Sequence, residues 1–252
     1  MILAQVVVVP EDVNELFDWP PLFDGVNRVV LLMWLAALLA FLFLWLPYRR
    51  PKIVPGKLQV ISEAMVDFVR NGIGRDIIGP ESHRYEWLLL PMFFWILFMN
   101  LFEITPGINF PPTARMAAPA LLAALVWVVF FAIGIRRHGL GYLYHTLVPP
   151  GVPKALLPLV ILIEFITVFF VRPISLAVRL FANMLAGHIM LTVFFLTTAA
   201  YFTLGPELLV WPIPFAFSLV LVGFEAFVAI LQAFIFTLLT AVYIDSSIHV
   251  EH

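Results

Sequence analysis

Residues 172–191 read RPISLAVRLFANMLAGHIML, and this stretch decides how the chain is organised. It is apolar and long enough for a membrane helix, yet it carries a proline, an arginine, an asparagine and a histidine. Arg179 lies well inside it, with Arg172 as the preceding charge and Glu207 as the next acidic or basic residue. A charged guanidinium at membrane depth costs from about 3 to more than about 10 kcal/mol. Arg179 is therefore predicted to mark a functional site.

The composition is that of an integral membrane protein. Of the 252 residues, 63% are hydrophobic and 12% are charged, about half the charged fraction of a soluble domain. The sequence holds no cysteine, which excludes disulfides, thiolate metal sites and a cysteine nucleophile. The N-terminal residues lack a basic region before their apolar run, so we expect no cleaved secretory signal.

The hydropathy pattern predicts an all-α polytopic membrane protein with about five membrane helices. The last two of these are long and strongly tilted, and an additional amphipathic helix lies on the inner surface. The predicted parts are an outer N-terminal segment at 1–27, a first transmembrane helix at 28–47, an inner segment with the amphipathic helix at 48–85, a transmembrane hairpin at 86–138, an inner loop at 139–156 and the two long helices at 157–252.

Basic residues set the predicted orientation. Arg49, Arg50 and Lys52 follow the first membrane helix directly, and such residues favour the cytoplasmic side of a membrane. We therefore expect the N-terminus outside and the C-terminus inside. The apolar face of the amphipathic helix is predicted to consist of Ile61, Ala64, Met65, Phe68 and Val69.

The last two apolar stretches have unusual lengths. Residues 157–200 would form a helix of about 66 Å and residues 208–244 one of about 55 Å, against a hydrocarbon core of about 30 Å. Each is long for one upright span and short for two spans with a turn. Two interpretations stay open: a break near Pro173 and near Pro212 or Pro214, or one strongly tilted helix each.

Polar and small residues spaced by four form a stripe within 172–191, namely Ser175, Arg179, Asn183 and Gly187. Steps of four residues drift by about 40° each, so the stripe slants across one face of a helix. Small residues at membrane depth indicate a closely packed neighbouring helix. Because arginine stays protonated at physiological pH, Arg179 is predicted to act as a fixed positive charge that pairs with a carboxylate.

The final stretch carries a second polar stripe, in which Ser218, Glu225 and Gln232 are spaced by seven. If the two long helices run antiparallel with Arg179 level with Gln232, His188 lies about 13 Å and Glu225 about 10 Å outward of that level. A histidine and a carboxylate at similar depth can exchange protons near neutral pH.

Further polar residues lie on both sides of Arg179. Asn100 and Glu103 end the second membrane helix on the outer side. Glu164 lies about 22 Å inward of Arg179 along the same helix, and Asp245 ends the last helix on the inner side. This arrangement suits two half-paths for protons that must not meet.

Three motifs carry a resemblance to a known family: RPISLAVRLFANMLAGHIM at 172–190, LQAFIFTLLTAVYI at 231–244 and MNLFEITPG at 99–107. In order and spacing they resemble subunit a of bacterial F-type ATP synthases, in its actinobacterial form. In that family the subunit is the membrane stator beside the rotating c-ring. The resemblance covers most of residues 85–252, whereas the N-terminal third shares only one span followed by an inner amphipathic helix.

The resemblance implies a multi-pass protein of the bacterial plasma membrane with two offset half-channels against the c-ring, so that proton flow drives ring rotation and ATP synthesis. Arg179 matches the family's essential arginine, which meets the deprotonated c-ring carboxylate and blocks proton leakage. The other matches are Asn183 and Gln232 beside the arginine, His188 and Glu225 as an exchanged acid–histidine pair, Asn100 and Glu103 near the outer channel, and Glu164 near the inner channel. Ser175 and Asp245 join the predicted proton-translocation residues by position alone.

The implied partners are the c-ring, stator subunit b and the lipid bilayer, without nucleic acid, cofactor, metal or catalytic residue. One alternative is a stand-alone proton-coupled transporter, which would need broken helices and an internal repeat. Another is an intramembrane enzyme, which would need a nucleophile with its base or a metal-ligand motif. The sequence shows neither pattern. Sodium as the coupling ion stays open, because the choice of ion rests largely on the ring carboxylate, although the His–Glu pair favours protons.

Overall fold

The computed structural model describes residues 27–49, 55–139, 141–148, 152–153, 156–202 and 209–249. The predicted outer segment 1–27 therefore lies outside the described residues, except for its last residue. Every regular element in the described part is helical. Four helices there are long and apolar enough to cross a membrane, and a fifth apolar helix is shorter. The prediction of an all-α polytopic membrane protein is confirmed.

The helices are, in chain order, α1 (Arg28–Arg49), α2 (Lys57–Val69), α3 (Glu86–Leu101), α4 (Ala117–His138), α5 (Gly141–Leu147), α6 (Leu157–Tyr201) and α7 (Pro212–Ile248). Between α2 and α3 the chain passes through a π-helical turn (Arg70–Arg75), one α-helical turn (Asp76–Ile78) and a 3₁₀ turn (Gly79–Arg84). The short α5 lies within the region predicted to be an inner loop.

The two long apolar stretches each form one helix. α6 runs through 45 residues, and a π-helical turn (Thr167–Val171) lies directly before Arg172 and Pro173. A π-helical turn accommodates an interruption of the regular hydrogen-bond ladder without ending the helix. Pro212 stands in the first turn of α7, where its missing N–H leaves no helical bond unmade. The structure thus favours single long helices over broken ones.

The core of the molecule lies around α3, which packs between α1 and α7. Its inward-facing side chains are almost fully buried, among them Phe94, Ile96 and Met99. α7 meets this core with small buried residues at four-residue steps, namely Ala229, Ala233, Thr237 and Ala241. Small side chains let two helix backbones approach closely, and this packing fixes α7 against α3.

Only part of α2 is covered by protein. Ser62, Val66 and Val69 are buried, and the Ser62 hydroxyl donates a hydrogen bond to the Phe43 carbonyl of α1 at 3.3 Å. The predicted apolar face remains largely open: Met65 is half-buried, and Ile61, Ala64 and Phe68 are exposed. An uncovered apolar face is what a helix on a membrane surface presents to lipid.

An ion pair ties the turn after α2 to α3. Both Arg70 Nε and Arg70 Nη2 donate to the Glu86 carboxylate at 2.9 Å. This hydrogen bond raises the pKa of Arg70 above its ordinary value. Because the pair is partly exposed, it contributes at most about 1 kcal/mol.

Candidate functional site

α6 has one face packed against the other helices and one face that no other described residue covers. Between Arg172 and Tyr201 its buried side chains recur every three or four residues, as expected for one face of a helix. These are Leu176, Ala177, Leu180, Met184, Gly187, His188 and Leu191.

Arg179 lies on the uncovered face, in an exposed stripe with Ser175 and Asn183. Ala182 and Ala186 stand beside it and are also exposed. Within the described residues, Arg179 forms no hydrogen bond or ion pair. A guanidinium in apolar surroundings requires an anion or hydrogen-bond acceptors. This face, with its small side chains, is therefore suited to receive a carboxylate from another chain.

Gly187, the fourth member of the predicted stripe, turns away from that face. The drift of about 40° per step carries it into the interior, where it is buried. A Cβ atom added at Gly187 would lie only 2.5 Å from Oε2 of Glu225. The absent side chain thus lets the Glu225 carboxyl group reach the backbone of α6 beside His188.

His188 is buried between α6 and the turn that joins α3 to α4. Its ring packs edge-to-face on Phe110, with 5.4 Å between the ring centroids. Its backbone carbonyl accepts a hydrogen bond from the Thr192 hydroxyl at 2.7 Å. Because His188 follows Gly187 directly, it is buried on the side of α6 that the Glu225 carboxyl group reaches.

Glu103 lies in the turn directly after α3 and is only 3% exposed. Within the described part of the chain, neither of its carboxyl oxygens has a hydrogen-bond partner, and the same holds for Oε2 of Glu225. The Glu225 carboxyl group is close enough to Glu103 to act on it electrostatically. Burying a carboxyl group without a hydrogen-bond partner is costly. Glu103, Glu225 and His188 are all buried titratable side chains; they are here called the outer cluster, after the side of the membrane on which the sequence predicts them.

Asn100 is nearly fully buried next to the outer cluster. Its Nδ2 donates to the Ala229 carbonyl of α7 at 3.4 Å, and its Oδ1 accepts from the Thr113 hydroxyl at 2.7 Å. The backbone N–H of Glu103 donates to the carbonyl of Asn100 at 3.1 Å. Asn100 therefore joins α3, α7 and the turn between α3 and α4.

The second predicted stripe forms a buried line along α7. Ser218, Glu225 and Gln232 are 2%, 2% and 4% exposed, because a spacing of seven is close to two helical turns. Near the N-terminal end of α7, the hydroxyl groups of Ser218 and Thr198 lie 3.1 Å apart and link α7 to α6. Gln232 follows Glu225 about two turns further along α7.

The two predicted inner acids lie apart from the outer cluster. Glu164 is half-buried and precedes the π-helical turn of α6. Asp245 is half-buried in the last turn of α7, and its Oδ1 lies 2.8 Å from Nδ1 of His249. Nearby, the guanidinium of Arg172 stacks over the ring of Tyr243 at 5.5 Å and holds α6 to α7.

Some residues of the site escaped the reasoning from sequence. Phe110 and Thr113 lie in a proline-containing turn whose letters indicate only a loop. The Ala229 carbonyl cannot be singled out from the sequence, because every residue carries a backbone carbonyl. Thr198 is one of several hydroxyl residues near the C-terminal end of α6, and nothing in the pattern distinguishes it.

Fold and site together define a polytopic membrane protein with two separate polar features: an arginine on an open helix face and a buried cluster of acids and a histidine behind it. A family model described as "ATP synthase A chain" matches residues 30–245. The chain belongs to this family. It is a multi-pass protein of the bacterial plasma membrane and a component of the membrane sector of ATP synthase.

Relatives carrying the name "ATP synthase subunit a" match along most of their length. The protein from Streptomyces lividans is 39% identical over 231 residues, which cover 90% of this chain and 81% of the relative. The protein from Pseudarthrobacter chlorophenolicus is 38% identical over 235 residues, covering 90% and 87%. The protein from Magnetococcus marinus is 39% identical over 230 residues, covering 90% and 86%.

Proposed function

We propose that this chain conducts protons through two offset half-channels against the c-ring, so that proton flow drives ring rotation and ATP synthesis. Family membership supports the role, and the division between an open arginine face and a buried acid cluster supports the offset. In this proposal the chain is non-catalytic: it moves protons and binds no ATP.

The outer half-channel runs past Glu103, His188 and Glu225. Protons enter from outside, pass along these buried groups and neutralise a carboxylate of the c-ring. The path is supported by the burial of all three side chains and by the carboxyl oxygens of the two acids that lack a hydrogen-bond partner among the described residues. Asn100 borders it and keeps the two acid-bearing segments together.

Arg179 separates the outer half-channel from the inner one. The neutralised ring carboxylate travels through lipid and releases its proton toward the inner side, where Glu164 and Asp245 border the exit. The ionised carboxylate then meets Arg179, and the fixed charge of the guanidinium bars a direct proton passage. Asn183 and Ser175 border the arginine on the exposed face, and Gln232 supports it from α7.

The remaining contacts of the chain follow from its family. Stator subunit b and lipid are proposed to cover surfaces that the described helices leave exposed. The N-terminus is proposed to lie outside and the C-terminus in the cytoplasm, because basic residues follow α1 and end α4.

The observation that carries the proposal is the position of Arg179, exposed on α6 without an internal partner in the described chain. In inverted membrane vesicles, Arg179→Ala is expected to abolish ATP-driven proton pumping by the assembled complex. Arg136→Ala, which removes an exposed arginine at the end of α4, is expected to leave pumping unchanged. Pumping by Arg179→Ala at the wild-type rate would refute the proposed function.

A further inference from the structure

We propose that Thr113 is a positioning residue of the outer half-channel, whose hydroxyl group holds Asn100 and thereby the spacing between the Glu103 turn and the Glu225 turn. This inference rests on the proposed function. Thr113 contacts neither acid in this role; it acts through the amide of Asn100.

The hydrogen bonds of Thr113 and Asn100 define a single orientation of the amide group. Thr113 is fully buried, and its hydroxyl donates to Asn100 Oδ1 at 2.7 Å. An amide oxygen can only accept, so the Nδ2 group of Asn100 points to the other side. There it donates to the Ala229 carbonyl at 3.4 Å. Without the threonine hydroxyl, the amide could turn over and lose its bond to α7.

The Ala229 carbonyl lies one helical turn after Glu225 on α7. Asn100 therefore holds α7 close to the point where the helix carries its buried acid. On the other side, Asn100 is joined through its backbone carbonyl to the N–H of Glu103 at 3.1 Å. Asn100 thus sets the distance between the two acid-bearing segments, and the hydrogen bond from Thr113 sets the orientation of the Asn100 amide group.

The turn that carries Thr113 also reaches the third titratable group. Phe110 is 1% exposed and packs on the ring of His188. The segment from Phe110 to Ala114 is buried throughout, so a shift at Thr113 is carried to the imidazole by rigid packing. Glu103 from this turn, His188 from α6 and Glu225 from α7 are the titratable groups that would respond.

The test compares one variant that removes the hydroxyl group with one that keeps it. Thr113→Val keeps the shape and removes the hydroxyl, whereas Thr113→Ser keeps the hydroxyl. Thr237→Val is the matched control, because Thr237 is equally buried but donates only to the Ala233 carbonyl of its own helix at 2.8 Å. Proton pumping per assembled complex is measured in inverted vesicles as a function of the pH inside the vesicles. After inversion, the outer half-channel faces this internal space.

Thr113→Val is expected to pump about fivefold more slowly per complex, the effect of one lost neutral hydrogen bond, and to shift the pH midpoint of pumping. Thr113→Ser and Thr237→Val are expected to keep the wild-type rate and midpoint. Should the valine variant not assemble, Thr113→Ala removes the hydroxyl together with the methyl group, and its comparison with Thr113→Ser isolates the effect of the hydroxyl.

Three results would overturn the inference: wild-type rate and midpoint in Thr113→Val, a loss confined to the amount of assembled complex, or equal loss in Thr113→Ser. Arg179→Ala is measured in the same preparations. If it stops pumping while Thr113→Val behaves as wild type, only the role of Thr113 is refuted. If it pumps normally, the proposed function is refuted.

Discussion

Replacing Gly187 by alanine places a methyl group where the Glu225 carboxyl group now lies. The added Cβ would be 2.5 Å from Oε2 and 2.6 Å from both the carboxyl carbon and Oε1. Ordinary contact begins at 3.4 Å, so the carboxyl group has to move by about 1 Å. Glu225 is 2% exposed, and the surrounding packing leaves it little room to do so.

Gly187→Ala has two energetic effects of opposite sign, one on the helix α6 and one on the Glu225 side chain. Alanine is about 1 kcal/mol more favourable than glycine within a helix, which stabilises α6. Overpacking of a buried site costs about 1–3 kcal/mol, and here the cost falls on the Glu225 side chain. A displacement of about 1 Å can reduce the rate of a positioned chemical step by about a hundredfold. We therefore expect normal assembly with proton pumping reduced by about ten- to a hundredfold.

The assay is ATP-driven acidification of inverted vesicles, normalised to the amount of assembled complex. Gly223→Ala is the control, because Gly223 lies on α7, two residues from Glu225, and an added Cβ there meets no atom of the described chain within 4 Å. Pumping at the wild-type rate by Gly187→Ala would show that the contact between Gly187 and Glu225 does not matter for proton transfer. Equal loss in both variants would attribute the effect to glycine replacement in general.

Three further substitutions test other parts of the structure. Gly134→Ala would place a Cβ against the rigid ring of Tyr142 and should destabilise the protein by about 1–3 kcal/mol. An unchanged melting temperature would contradict this. Arg172→Leu removes the stacking over Tyr243 and should cost about 1 kcal/mol in stability, with pumping retained. Loss of pumping in a stable complex would instead assign Arg172 a direct role. Glu103→Gln keeps the size of the buried side chain but cannot release a proton, and should slow pumping and alter its dependence on outer pH; an unaltered pH profile would remove Glu103 from the path.

Helix positions and helix faces could be predicted from sequence because they depend on local periodicity. The seven-residue spacing of Ser218, Glu225 and Gln232 corresponds to one line on a helix, and all three are buried. The isolated charge of Arg179 in an apolar stretch predicts a functional surface without any knowledge of the neighbouring helices. These inferences require only helix geometry and the cost of polar groups in lipid.

Contacts between segments distant in sequence could not be predicted in the same way. That Gly187 turns inward depends on how far α6 is rotated against α7, and the π-helical turn before Arg172 affects that rotation. The hydrogen bond from Thr113 to Asn100 depends on how a proline-containing turn packs against the end of α3. The choice between a broken and a continuous α6 depended on whether the ladder near Pro173 could widen locally. No periodic pattern reports these features.

The most direct test of the account concerns the surface around Arg179. Because the chain contains no cysteine, one cysteine can be introduced at Ala186, on the exposed face of α6 beside the arginine stripe, or at Val128, exposed on α4. Each variant is oxidised in membranes together with c subunits that carry single cysteines along their outer helix. The account predicts disulfide cross-links from Ala186→Cys and none from Val128→Cys. Cross-linking from Val128→Cys alone would place the ring on another face and contradict the central claim.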